Sequence, residues 1–533
     1  MTMNIRTSSI SFLFLFLVSW EGFCQNLEHA HGYVYEDLNN NLKRDKKEPG
    51  ISGVLVSDGC QVVCTDENGH WEMDVNGHCV IFLIKPKGYI SPTNEKGQPV
   101  SWYIHKVNGS PVMKFKGSEP TGPLPKSLDF ALKKYEDPID FSFFIFGDPQ
   151  PYTMREMEWF DKGIVEEASK VQGPSFGISL GDICGERMDM YPEYLDVMKK
   201  MNRPWYNVIG NHDRNYDSGC DSLANESFEA AFGPSTYAFR YGDTHFICMD
   251  DIYFTGEKAN PYWGGFSERQ FKFLENYLKF IDPDDQIIVS YHIPINYKKG
   301  QFLDSHRRRF FKIFEGRKVM GLSAHTHIQM QFYCDESVGW TGVDPYYEYN
   351  VATSNGDWYS GHIGKDGTPE SMMRDGTPKG YAVATMKDGK LTWRYKVASM
   401  PDSCQMRVWG AKVVPYKQGG KYPLYVNFFA GGERDTVKFR IDGGRWKLMT
   451  KVADEPDPAF LYQCYEWDTA DHVMEGRRPA KPATMCTHLW KSFLDNKLEP
   501  GEHVVDIKVI DQFGRKHSDK FLYKTEKFRP AQD

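Results

Sequence analysis

Several things are scarce in this 533-residue chain, and each absence narrows what it can do. After Trp20 no run is long and apolar enough to span a bilayer, where ~20 such residues are needed. No CxxC pair is present, which removes the common zinc-knuckle and dithiol redox motifs. There is no long Lys/Arg run, and the net charge is -8. A phosphate-backbone groove needs a basic face, so nucleic acid is not expected as a partner. The nearest approach to a basic cluster, Arg307-Arg308-Arg309, reads as the solvated side of a helix rather than a phosphate clamp. Long internal repeats and low-complexity stretches are also missing.

What remains is globular. Hydrophobic residues make up 40% and aromatic residues 15%, enough for real cores, and the length suggests roughly three domains. Residues 1–24 read as a signal peptide. Arg6 is the positive flank, Ile10 to Trp20 a short apolar stretch, and Gly22 and Cys24 are small residues before a cut ahead of Gln25. The rival reading lipidates Cys24, but Glu21-Gly22-Phe23 puts Phe where a lipobox needs a small residue. The expectation is export to the periplasm, the cell surface or the medium, with membrane attachment only if Cys24 carries lipid. Ten cysteines follow Cys24, and an exported chain can join them in disulfides, though pairing is not readable from sequence.

Three segments differ in pattern. Residues 27–135 look all-β, with alternation at His31 to Tyr35 and Gly53 to Gly59 and the hairpin signal Asn68-Gly69 in the turn before Trp71. Within this small sandwich Asp37, Asn39, Asn41, Asp45 and Glu48 fall at the oxygen positions of a calcium loop. Leu42 stands where such a loop needs Gly, and no helices flank it. Residues 32–56 resemble the calcium-binding B-type repeats of bacterial surface adhesins, and a polar turn that never sees calcium is the alternative. Residues 138–400 alternate strand and helix, which gives a layered α/β domain. Residues 411–527 are again β-rich, and the strands around Gln512-Phe513-Gly514 close an Ig-like sandwich.

The chemistry is concentrated in the middle segment. Gly147-Asp148-Pro149-Gln150, Gly181-Asp182, Gly210-Asn211-His212-Asp213, Tyr291-His292 and Ala324-His325-Thr326-His327 each follow a short apolar run that reads as a strand. Ligands of α/β sheets collect at the carboxyl ends of strands. Carboxylates, an Asn, a Gln and histidines in this mix suit two close divalent metals, the arrangement that clamps both oxygens of an in-line phosphoryl displacement.

These motifs, in this order, resemble the calcineurin-like metallophosphoesterase superfamily over the middle segment. The whole chain is similar to a three-domain bacterial subfamily with β-sandwich domains at both ends. The resemblance implies a central four-layer α/β domain, a β-sandwich flanked by helices, and a metal-dependent phosphoric ester hydrolase. It makes Asp182 the carboxylate shared by both metals. Asp148 and His327 would hold the first metal, and Asn211, His292 and His325 the second. His212 would protonate the leaving alkoxide as hydroxide generated by the metals attacks, with Asp213 either orienting it or acting as a structural cap. Relatives commonly carry His where this chain has Gln150. A Gln oxygen is a weaker, neutral donor, which favours manganese over zinc, with iron also open.

Arg187 and Arg214 lie close to motifs and could meet phosphate, though surface or ion-pair roles compete. The turns Asn355 to Trp358 and Asp375 to Tyr381 look placed to close over the site. Trp358 and Tyr381 could stack on substrate or simply pack in a core, as could His488 and Trp490. The substrate class expected is a phosphorylated small molecule, sugar or lipid headgroup, monoester or diester. The competing functions are a non-catalytic glycan-binding protein with a relic centre and a nucleotide pyrophosphatase or phospholipid-headgroup hydrolase. A relic would have lost ligands, and this chain keeps the set apart from the Gln substitution.

Overall fold

The computed structural model describes residues 27–256, 261–480 and 482–528. Residues 1–24, read above as a signal peptide, lie outside the described residues. Among the described residues no helix is long and apolar enough to cross a membrane, and all ten cysteines are free thiols.

The central domain is built on strands that are apolar on both faces. In Phe141–Phe146, the side chains of Phe141, Phe143 and Ile145 enter the core between two sheets, while Phe144 and Phe146 enter a second core under helices. Strand Gln286–Ser290 divides in the same way, Ile288 inward and Ile287 and Val289 outward. Side chains alternate along a strand, so such a run is stable only when both faces are covered. The outcome is four layers. A five-stranded sheet runs Trp205–Val208, Pro174–Leu180, Phe141–Phe146, Gly380–Lys387, Lys390–Val397. A six-stranded sheet runs Tyr237–Tyr241, Thr244–Cys248, Gln286–Ser290, Lys318–Ser323, Tyr346–Asn350, Met330–Cys334. Helical residues 154–168, with one π turn at Asp161–Val165, and Tyr191–Met198 cover the first sheet. Glu268–Tyr277, capped by Ser267 and Gln270, and Asp304–Ile313 cover the second. Arg307, Arg308 and Arg309 lie on that last helix and pair with Asp304 and Glu268.

The N-terminal domain is a sandwich of two four-stranded sheets around Val34, Val56, Trp71, Ile81 and Leu132. One expectation fails here. The Asn68-Gly69 turn forms, with Gly69 at φ 77°, but it joins no hairpin. Val62–Cys64 pairs with Leu55–Ser57 and His70–Val75 pairs with Glu28–Glu36, so the turn carries the chain from one sheet to the other. Asp66 closes it by accepting N–H bonds from Asn68 and His70 at 2.8 Å, which does not require the flanking strands to pair.

The C-terminal domain is a second sandwich, of four and five strands, with the hairpin Gly501–Ile510 and Lys516–Glu526 in its larger sheet and an added helix, Pro458–Thr469. Its core is continuous with that of the central domain: Val426, Phe428, Val505 and Phe521 belong to the same cluster as Phe143 and Tyr349.

The N-terminal domain is tied down by buried charge. Lys106, fully buried, lies 2.7 Å from Glu226 and 2.8 Å from Glu229 of the central domain, and Glu226 is also 2.8 Å from His78. Burial alone would raise the Glu226 carboxyl, but His78, Lys106 and Ser110 outweigh it and hold it down at about 2. A carboxyl held below its ordinary value stabilises the fold above that value and loses the contribution as pH falls. Glu226→Gln should therefore lower stability by about 3 kcal/mol at neutral pH. The gap between wild type and variant in urea midpoint should narrow as pH drops from 4.5 toward 2. A gap that stays constant across that window would contradict the pairing.

Candidate metal centre

The five motif loops emerge at the carboxyl ends of parallel strands, three from one sheet and two from the other, and meet at one end of the sandwich. They turn sharply. Asp148, Gln150, Asp182, His325 and His327 all have positive φ, between 31° and 69°. Each such residue costs on the order of 1–3 kcal/mol, and strain of this kind collects at functional sites. Backbone contacts lace the loops together: Gln150 N–H to Asp182 O at 2.9 Å, His212 N–H to Asp182 Oδ1 at 2.9 Å, His325 N–H to Asp148 Oδ1 at 3.0 Å and Ala324 N–H to His292 O at 3.0 Å.

The glycines of the motifs are explained by this closeness. A Cβ on Gly210 would lie 2.1 Å from the Asp182 nitrogen, and one on Gly181, which also has φ 94°, would lie 2.4 Å from His292 Nδ1.

The side chains converge in two groups. Asp182, His292 and His325 present ligand atoms within 4.8 Å of one another. His292 donates from Nδ1 to Leu180 O at 2.7 Å, which leaves Nε2 bare. That atom faces Asn211 Oδ1 at 3.1 Å, His325 Nδ1 at 3.2 Å and Asp182 Oδ2 at 3.3 Å. In the other group His327 Nε2 lies 3.2 Å from Asp148 Oδ2. Asp148 Oδ2 and Gln150 Oε1 are buried and accept no hydrogen bond. Buried acceptors are ordinarily satisfied. Orphaned oxygens and a bare imidazole nitrogen turned on one another make a donor set that fits divalent cations.

Around this cluster stand residues with supporting contacts. Asp251 accepts from the backbone N–H of His292 and Ile293 at 3.0 and 2.9 Å. Asn355 donates to Asp148 O at 2.8 Å. The Gln301 side-chain amide is 2.7 Å from His325 Nε2. The Gln301 amide nitrogen donates to His325 Nε2. His212 Nδ1 lies 3.3 Å from Glu186, and its ring meets the Tyr152 ring edge-on at 6.0 Å. Burial lowers the His212 pKa, but the Asp182 and Glu186 carboxylates outweigh it and raise it overall; bound dications would act in the opposite direction. Glu186, Tyr152, Asp251 and Gln301 were not among the residues singled out from sequence. Only Asp251, in an acidic pair just after strand Thr244–Cys248, carried a positional signal.

Three readings left open by the sequence are decided by the contacts. Asp213 does not touch the His212 ring. Its carboxylate is buried and accepts from Gly210 N at 2.9 Å, Ile183 N at 3.1 Å and Tyr191 Oη at 2.9 Å, so it clamps the Asp182 loop to the Asn211 loop. Burial and the neighbouring Asp182 raise its pKa to about 7. Arg214 is no substrate contact: its guanidinium is fully buried, 2.6 Å from both Asp221 and Asp250. Tyr381 is a core residue in strand Gly380–Lys387, packed on Phe144 and Phe146, its hydroxyl 3.2 Å from Glu167. Trp358, half-buried, does lie at the centre, its ring stacked 4.1 Å from that of His327. Arg187 is a surface residue paired with Asp189 at 2.8 Å. His488 and Trp490 are buried; His488 lies 3.0 Å from Asp375, whose carboxylate also accepts the Gln329 N–H at 2.7 Å.

The Asp37–Glu48 loop closes on itself. Asp37 accepts from Asn41 and Leu42 N–H, Glu48 from Leu38 and Asp45 N–H, and Asp45 from the Asn39 and Asn41 amides. Leu42 takes the left-handed conformation, φ 59°, that Gly commonly supplies. None of its oxygens is a buried orphan, unlike those of the Asp148–His327 cluster.

Three family models match the chain. The N-terminal domain of calcineurin-like phosphoesterase matches residues 38–119, calcineurin-like phosphoesterase matches 141–329, and its C-terminal domain matches 348–517. The chain belongs to the calcineurin-like phosphoesterases that carry N- and C-terminal domains, and it is a metal-dependent phosphoric ester hydrolase. No curated protein matches it. Among solved structures, the purple acid phosphatase PPD1 isolated from yellow lupin (Lupinus luteus) seeds is similar over 70% of this chain and 67% of its own. The TM-score is 0.35 and the identity 12%, a likeness too distant to add to the family assignment.

Asp213→Ala should weaken metal retention by at least about tenfold, measured as release to a chelator, and lower thermal stability. Undiminished metal retention and an unchanged thermal midpoint in the variant would remove the clamping role.

Proposed function

We propose that the protein is an exported dimetal phosphoesterase that hydrolyses phosphomonoesters or phosphodiesters. The observation that carries this reading is the convergence of bare acceptor atoms on Asp148, Gln150, Asp182, Asn211, His292, His325 and His327. Asp148, Gln150 and His327 would hold one ion, Asn211, His292 and His325 the other, with Asp182 shared. When bound, such ions supply Lewis acidity to phosphate oxygens and bring the pKa of a held water to about 7.

The chain's own residues do the rest. His212 follows ligand Asn211 and keeps part of its ring exposed; its Nδ1 faces Glu186, so Nε2 is the atom that delivers a proton to the leaving alkoxide. Trp358, braced on His327, is the residue for stacking against the organic part of a phosphorylated small molecule, sugar or lipid headgroup. The neutral Gln150 favours manganese over zinc, with iron also admissible. Export is supported by the sequence of residues 1–24.

The deciding experiment compares hydrolysis of nitrophenyl phosphate and bis-nitrophenyl phosphate by signal-free protein with manganese, for wild type, Asp182→Asn and His212→Ala. Both variants should lose at least about a hundredfold in turnover while keeping the wild-type circular dichroism. Near wild-type turnover in either would remove its assigned role. In a second experiment, chelation should abolish turnover and manganese should restore it at least as well as zinc. Restoration by calcium alone would move attention to the Asp37 loop.

A further inference from the structure

Tyr216 has no part in the contacts described so far, yet it follows Asn211 and His212 on the same loop, in the short turn Tyr216–Ser218. The residues before it are locked in place. The Arg214 guanidinium lies 2.6 Å from both Asp221 and Asp250, and Asn215 exchanges two hydrogen bonds of 2.9 Å with Ser227. The Tyr216 ring meets Phe254 edge-on at 5.4 Å and Tyr262 at 6.3 Å. Phe254 and Tyr262 pair across the hairpin that leaves just after Asp251, the residue that holds the His292 backbone. Beyond Tyr262, Gly264 N–H donates to Gln301 O at 2.8 Å, and the Gln301 side chain meets His325. Tyr216 and Tyr262 therefore form a wall anchored at one end on the Asn211 loop and at the other on the segment beside His325.

The Tyr216 hydroxyl is buried and has no hydrogen-bond partner. Buried polar groups are ordinarily satisfied. The orphaned oxygens of Asp148 and Gln150 are acceptors, and a cation satisfies them. A neutral phenol differs, because it has a proton to give, and an anionic oxygen is the partner that uses it best. Burial first, then the Tyr262 hydroxyl and the Asp182 and Glu186 carboxylates, outweigh the Arg214 guanidinium and hold the Tyr216 pKa well above its ordinary value. Burial and the same two carboxylates raise Tyr262 to about 12.

We propose that the Tyr216 hydroxyl donates a hydrogen bond to a phosphoryl oxygen of the bound substrate, with the Tyr262 ring fixing its direction. The proposal rests on the phosphoesterase reading and adds to it a residue that reads the phosphoryl group without holding a metal. The competing account is a packing tyrosine whose hydroxyl faces a gap, and it predicts that the hydroxyl can be removed without consequence.

The test is Tyr216→Phe in signal-free protein loaded with manganese, set against wild type. Binding of inorganic phosphate is read by calorimetry, and kcat/KM on the nitrophenyl esters by hydrolysis. The variant should bind phosphate about tenfold more weakly and lose roughly tenfold to a hundredfold in kcat/KM. Its thermal midpoint should match or exceed that of wild type, because the fold loses only an unsatisfied group. Manganese retention against a chelator should not change. Phosphate affinity and kcat/KM equal to wild type would overturn the proposal and leave the packing account, with the phosphoesterase reading intact. A fall in kcat/KM with phosphate affinity unchanged would move the contact to the organic part of the substrate and overturn the proposal as stated. Wild-type protein that neither binds phosphate nor hydrolyses either ester would overturn the phosphoesterase reading, and this proposal with it.

Discussion

The constraint on which the rest of this structure depends is the forced approach of atoms that all carry lone pairs. His292 Nε2, His325 Nδ1, Asn211 Oδ1 and Asp182 Oδ2 gather within a few ångströms, and Asp148 Oδ2 faces His327 Nε2 at 3.2 Å. Without cations Asp148 Oδ2 and Gln150 Oε1 are left as buried, unsatisfied acceptors. The cluster persists only because the surrounding chain over-determines it. Five of its members accept left-handed backbone, and the loops that carry them are cross-bonded before any side chain is considered.

The scaffold shows how that over-determination is arranged. Parallel strands that are apolar on both faces anchor one end of every loop rigidly between layers. Gly181 and Gly210 let neighbouring loops approach closer than any Cβ allows. Asp213 and Asp251 then use buried carboxylates as clamps on backbone N–H groups, so two acidic residues close to the centre serve geometry. The C-terminal domain extends the same support outward: His488 steadies Asp375, and Asp375 holds the chain just beyond His327.

How much of this was legible in the sequence follows from what each feature depends on. The central strands were readable because a buried strand announces itself as an apolar run, and the five motifs because each directly follows one. Gly380 and Tyr381 were read as the end of a turn closing over the site, whereas they open the strand Gly380–Lys387. Its short alternation of Ala, Val and Thr after a turn-rich stretch gives no hint that it pairs with a strand far upstream. The Asn68-Gly69 turn misled because local turn chemistry does not specify which strand each arm joins. The roles of Arg214 and Tyr381 stayed open because proximity in sequence to a motif says nothing about the direction of a side chain. Glu186 and Gln301 had no signature at all, since a residue that touches a histidine ring from another loop is defined only by the tertiary structure.

The placement of Gly380–Lys387 has a consequence for the making of the protein. This strand lies directly between Phe141–Phe146, which carries the first ligand loop, and Lys390–Val397. Until it emerges from the ribosome, Phe141–Phe146 has an open edge and the inter-sheet core is uncovered on that side. Pairings this distant in sequence form late, and an unpaired apolar edge is prone to association. The nascent chain therefore holds all seven of its proposed metal-ligating residues for the length of some further segment of synthesis before the sheet beneath them can close. For such a polypeptide, the order of synthesis and the order of folding run against each other at the very place where chemistry is to occur.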